Sequence, residues 1–266
     1  MSPDNTFAPW LAAKVDFARE LLFQIADDPR LASLRENFIL KGGAAILLGY
    51  EGVRASRTDL DLGLVTRVEI TDDLIEILLE DLVDWDARLD ITQRQPVERF
   101  ADGSVNVHLA FIHPERPGNP DRFKLQVNGR DGSVPPRLLE MVQPRALRTY
   151  DGHEFEFPIM AAEEIVVEKM LRLFNTKKPP RLDDLFDIGW LRNSQPLDDS
   201  LIADEFAKSL PLERDCAVRA EPIERLRAQN TAAAYSGKAD YGRLSGDAAA
   251  TIAGLGITVV LRCAKL

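Results

Sequence analysis

Residues 59–65 read Asp-Leu-Asp-Leu-Gly-Leu-Val, an alternation of acid and leucine that marks an extended strand. Successive side chains on a strand point to opposite faces, so Asp59 and Asp61 share one side while Leu60 and Leu62 face the core. Two carboxylates set side by side repel unless a cation lies between them, and hard oxygen ligands suit Mg2+. A pair of Mg2+ ions clamping the attacking and leaving oxygens is a standard way to run phosphoryl or nucleotidyl transfer. A D-x-D pair also arises on ordinary solvated strands, so its meaning depends on its surroundings.

A glycine turn precedes the pair. The apolar run Phe38-Ile39-Leu40 ends at Lys41-Gly42-Gly43 and continues into Ala44-Ala45-Ile46-Leu47-Leu48. This reads as strand, turn and helix, an arrangement in which backbone N–H groups approach a phosphate closely. Neither a dinucleotide-binding fingerprint nor a Walker A loop occurs. The informative feature is the order: strand, Gly-Gly, helix, short polar connection, then D-x-D on a strand.

Helical spacing predicts helices over 10–26 and 72–82, and alternation predicts strands over 89–93, 105–112 and 123–127. Gly, Ser and two prolines cluster at 132–137. Beyond Phe155-Glu156-Phe157-Pro158 the pattern turns helical, over 161–175, 183–192, 201–210 and 222–229. Residues 230–247 are rich in Gly, Ala and Ser and carry little signal. The expected fold class is α+β, with a mixed-sheet lobe over 1–135 and a mainly helical lobe over 136–266.

Charge narrows the partners. With 43 acidic against 33 basic residues the net charge is −10, which excludes a uniformly basic nucleic-acid-binding surface but leaves room for a local basic cleft. Cys216 and Cys263 are the only cysteines, so no disulfide framework is indicated. The N-terminus lacks the pattern of a signal peptide, and the most apolar stretch, 248–261, is short for a membrane span. A soluble, cytoplasmic protein is expected.

The stretch LKGGAAILLGYEGVRASRTDLDLGL, residues 40–64, resembles the LKGGTAL…R-x-S-x-D-[IL]-D signature of the AbiEii/AbiGii-type nucleotidyltransferase toxins, members of the polymerase-β superfamily. Further on, Glu163-Glu164-Ile165-Val166-Val167-Glu168-Lys169-Met170 resembles that family's E-E-I-x-x-E-K helix. Asp183-Asp184-Leu185-Phe186-Asp187-Ile188 resembles its R-D-L-Y-D-L helix. The matches span 38–191. The resemblance implies a polymerase-β-like lobe, with Lys169 and Asp184 reaching its cleft from the helical lobe. It implies transfer of a nucleotide from an NTP to an acceptor hydroxyl, such as a tRNA 3′ end or another RNA, by a toxin paired with an antitoxin. Asp59 and Asp61 would hold Mg2+, in a two-ion site. Lys41, Gly42, Gly43 and Ser56 would hold the nucleotide, Lys169 would offset triphosphate charge, and Asp184 would complete the site.

The chain departs from that pattern in places. Ala44 stands where the family often has Thr or Ser, the R-x-S-x-D spacing is longer by one residue, and Asp183 replaces an arginine, with Arg181 nearby. The third carboxylate that polymerase-β enzymes place on a later strand falls on Gln126, an uncharged and weaker Mg2+ ligand. Asp90 is the other candidate for that role. A catalytically degenerate member that binds nucleotide or a partner is therefore the competing reading. His108, His113 and His153 have no metal-ligand spacing, and His108 on its alternating strand reads as a half-buried structural residue. The basic run Lys177-Lys178-Pro179-Pro180-Arg181 reads as a solvated loop, with an RNA backbone as its alternative contact.

Overall fold

A computed structural model describes residues 9–52, 60–64, 69–80, 90–93, 96–101, 103–114, 117–118, 121–128, 139–173 and 182–209. The chain divides into two compact units, Met1–Met160 and Ala161–Leu266.

The first unit opens with α1 (Pro9–Asp27), whose Val15, Phe17, Ala18, Leu21, Leu22 and Ile25 are buried at the expected helical spacing. Asp28 accepts a hydrogen bond from the Arg30 backbone N–H at 2.8 Å and starts a 3-10 turn, Pro29–Leu31, leading into the short α2 (Ala32–Arg35). The strand β1 (Phe38–Lys41) then runs into α3 (Gly42–Ala44), which continues directly as a π-helical segment, Ala45–Gly49. Gly42 has φ 63°, a left-handed backbone that glycine adopts freely. Gly49 is there for space, because a Cβ at that position would lie 2.8 Å from the Ile159 Cγ2.

The rest of the unit supplies β2 (Leu60–Leu64), α4 (Asp72–Glu80), β3 (Asp90–Gln93), β4 (Glu98–Arg99), β5 (Val105–Ile112), β6 (Asp121–Asn128), β7 (Gln143–Arg148) and β8 (Glu154–Ile159). They form one mixed sheet in the order β3-β5-β6-β2-β1-β8-β7, with β4 pairing beside β5. Two neighbours are parallel, β2 with β6 and β1 with β8; the other pairs are antiparallel.

The alternation read from the sequence decides which face is covered. Val105, Val107, Leu109 and Phe111 of β5 are buried, as are Phe123, Leu125 and Val127 of β6. Burying each such side chain contributes roughly 1.5–3 kcal/mol, enough to fix the register, since a slip by one residue would expose the whole set. The helix α1 lies on this side: Phe17 meets Phe123 edge-on with centroids 4.9 Å apart, and Lys14 Nζ sits 5.6 Å from the Phe111 ring. Asn106, His108, Lys124 and Gln126 occupy the opposite, polar face.

Strands β4, β7 and β8 were not predicted. The β7–β8 hairpin joins the sheet through β1, and Met160 N donates to Leu40 O at 2.9 Å just beyond it. The first compact unit, Met1–Met160, takes in this hairpin. Residues 131–138, the helix expected over 222–229 and the apolar stretch 248–261 lie outside the described residues.

The second unit begins with α5 (Ala162–Leu173), α6 (Leu182–Ser194) and α7 (Asp199–Ser209). Its core is Ile165, Val166, Met170 and Leu173 from α5, Leu185, Ile188 and Leu191 from α6, and Ile202, Ala203 and Phe206 from α7. Asp198 caps α7, its Oδ1 accepting from Ser200 N and Leu201 N, while its own N–H donates to the buried Glu163. Among the described residues, no helix is long and apolar enough to cross a membrane.

Candidate functional site

Pairing across the sheet aligns a row of polar positions. Lys41 on β1 is the register partner of Asp61 on β2, and Asp61 is that of Gln126 on β6. Gln126 faces Asn106 on β5, and Asn106 faces Glu98 on β4. Five strands thus place Lys41, Asp61, Gln126, Asn106 and Glu98 in one line, about 19 Å long at the usual strand spacing. Gly42 follows Lys41 immediately, so the left-handed turn opens beside the Asp61 position. Lys41 passes close over Gly63, where an added Cβ would lie 3.4 Å from its Cδ. The structure therefore brings together the expected Lys41, Gly42, Gly43 and Asp61. Asp59 and Ser56 lie outside the described residues.

The third position differs from a metal ligand in its hydrogen bonding. Lys124 precedes Gln126 by two residues on β6, hence on the same face, and its Nζ donates to Gln126 Oε1 at 2.7 Å. That oxygen is the only atom of the amide suited to a cation. Asp90 does not serve instead. Its register partner is Ile112, six positions along β5 from Asn106, which separates it from the row by about 20 Å. Glu98 is engaged already, accepting from Asn106 Nδ2 at 3.0 Å and lying 3.1 Å from His108 Nε2. Those hydrogen bonds, Asn106 first, hold its carboxyl below the usual carboxylate range. Asn106 Oδ1 is buried and accepts no hydrogen bond from any described residue. His108 is half-buried and structural in its contacts, as its alternating strand implied. Among the described residues, no group of three or more His, Cys, Asp or Glu could hold a metal ion.

The second unit holds Lys169 and Asp184 in a buried ionic cluster. Lys169 Nζ lies 3.1 Å from Asp184 Oδ1 and 2.7 Å from Asp187 Oδ2, and all three residues are at most 2 % exposed. Arg172, partly exposed, approaches Asp184 Oδ1 at 3.7 Å. Among the described residues, Asp184 Oδ2 is buried with no hydrogen-bond partner. The ammonium expected to offset triphosphate charge is thus engaged by two carboxylates, and the cluster presents an acceptor to any donor that reaches it.

Two participants were missed from the sequence. The shared helix face of Asp184 and Asp187 was legible, but not that both bind Lys169. Lys124 stands two residues before Gln126, so the period of the strand already placed it beside that side chain.

The family model described as "Nucleotidyl transferase AbiEii toxin, Type IV TA system" matches residues 29–250. Among solved structures, MenT4, a nucleotidyltransferase toxin from Mycobacterium tuberculosis H37Rv, is similar in fold with a TM-score of 0.58. That match covers 92% of this chain and 84% of that one, at 18% identity. No curated protein matches the sequence.

Proposed function

This chain belongs to the AbiEii family of nucleotidyltransferase toxins of type IV toxin–antitoxin systems, and we propose that it moves a nucleotide from an NTP to a hydroxyl of an RNA acceptor with the help of Mg2+. Membership implies an NTP substrate and an antitoxin partner. The observation that carries the reading is the row across the sheet, which sets Asp61 between Lys41 and Gln126, directly beside the Gly42 turn.

In this reading the acceptor oxygen attacks the α-phosphorus, the bond to the β-phosphate oxygen breaks, and pyrophosphate leaves as the hydroxyl loses its proton. Lys41 and the backbone N–H groups of Gly42 and Gly43 hold phosphate oxygens, with Ser56 from the connection to β2. Hard carboxylate oxygens at Asp61 and, two residues earlier, Asp59 suit one divalent cation. Bound there, Mg2+ would offset phosphate charge during transfer. Lys169 fixes Asp184 through their ion pair, and of the three N–H donors of its ammonium two are taken by Asp184 and Asp187.

Incubation with each labelled NTP and bulk tRNA, with and without Mg2+, tests the proposal. Label should pass to RNA only with Mg2+, and Asp59→Asn with Asp61→Asn should abolish both transfer and the Mg2+ dependence of NTP binding. Unchanged Mg2+ dependence in the doubly substituted protein would remove the metal assignment. The competing reading, a degenerate member that binds nucleotide without turnover, is favoured by the uncharged Gln126. It predicts Mg2+-dependent NTP binding with no label transferred to any RNA.

A further inference from the structure

The site described above has the ligands for one cation, and the arrangement beside it suits an anion. Gln126 holds the strand position next to Asp61, yet its carbonyl oxygen is taken by the Lys124 ammonium at 2.7 Å. A divalent ion on that oxygen would lie within a few ångströms of the ammonium, and the two like charges repel. Neither candidate carboxylate of the sheet replaces it: Asp90 on β3 pairs with the far end of β5, and Glu98 is held by Asn106 and His108. The positive charge at this place belongs to Lys124. An ammonium carries three N–H donors, and Gln126 accepts one of them.

We propose that Lys124, aimed by Gln126, binds a phosphate oxygen on the polar face of the sheet, so that transfer proceeds with one divalent ion and one ammonium. The proposal rests on the nucleotidyl-transfer reading and departs from the two-ion site that the sequence implies. Its ligand is a phosphate oxygen, drawn either from the triphosphate of the NTP or from the backbone of the RNA acceptor. Gln126 is a positioning residue in this scheme: its amide oxygen orients the ammonium without cancelling its charge, which a carboxylate there would do.

The test uses the full chain and two separate probes. One is an NTP analogue with a methylene group between the α- and β-phosphates; the other is a single-stranded RNA oligonucleotide with a 3′-hydroxyl. Affinities are measured with Mg2+ present, and bound Mn2+ is counted by electron paramagnetic resonance with the analogue in place. Lys124→Met should weaken one probe by on the order of tenfold or more, the effect of losing one charge-assisted hydrogen bond, and the weakened arm names the source of the phosphate. Lys124→Arg should keep most of the affinity. Wild-type protein should bind one Mn2+ per chain. Should Lys124→Met fail to fold by circular dichroism, Gln126→Glu gives the same reading, because its carboxylate would pair with the ammonium and weaken the same probe. Unchanged affinity for both probes in Lys124→Met, two Mn2+ per wild-type chain, or tighter binding by Gln126→Glu would each overturn the proposal. Wild-type protein that bound neither probe would overturn the nucleotidyl-transfer reading as well, and so is distinct from those three results.

Discussion

Replacing Lys169 by Met should unfold the second unit more readily than it harms any contact with substrate. The ammonium is buried between Asp184 at 3.1 Å and Asp187 at 2.7 Å, and Met keeps most of the volume while removing the charge. Two charge-assisted hydrogen bonds are lost, each worth roughly 1.5–3 kcal/mol, and two carboxylates stay buried. Arg172 is half-exposed and 3.7 Å away, so it offsets little of this. Breaking a buried pair by removing one partner costs about 3–5 kcal/mol, a large part of a domain's 5–15 kcal/mol. Urea unfolding followed by tryptophan fluorescence reads the change, since Trp190 lies on α6 with both aspartates. At a typical slope, the midpoint should fall by roughly 2 M. Adding Asp184→Asn and Asp187→Asn to Lys169→Met should recover most of the loss, because no uncompensated charge remains. A Lys169→Met protein within about 1 kcal/mol of wild type would refute the reasoning. A Lys169 substitution that abolishes transfer therefore needs a stability measurement before it is read as catalytic.

Two further outcomes are expected. Gly42→Ala should cost about 1–2 kcal/mol in urea unfolding, because φ 63° strains any residue with a Cβ, and NTP affinity should fall with it. The carboxyl of Asp199 is depressed by its hydrogen bond from Arg192. Its stabilisation is present above the unfolded value of about 3.9 and is lost as pH falls through the depressed folded value. Asp199→Asn should thus cost no more than about 1 kcal/mol at neutral pH, given that both groups are partly exposed, and progressively less as pH falls through the depressed folded value.

The parts legible in the sequence are those with a strong period. The alternation of β5 was read to its exact ends, and β6 was recognised with its margins short, because each buries every second residue. The strand β4 is two residues long and has no period to detect. In β7 only Leu147 is buried, so its polar edge hides the pattern, and Pro158 in β8 argues against a strand unless the proline lies where no ladder bond is needed. For the site, the glycine turn and Asp61 were found together because local order places them. The Lys124–Gln126 bond and the pairing of Lys169 with Asp187 depend on side-chain direction and on packing between helices, which a linear pattern does not carry.

The order in which the strands meet also sets when the polar row can exist. Lys41 leaves the ribosome long before β6, which ends at Asn128, and β8, which closes the other side of β1, ends only at Ile159. At about 5–20 residues per second, a growing chain waits on the order of ten seconds between making its glycine turn and making the strand that bears Lys124 and Gln126. Through that interval the Asp61 strand has no neighbour on one side. The topology is a clock: the nascent chain passes through much of its synthesis before the polar row across its sheet is assembled.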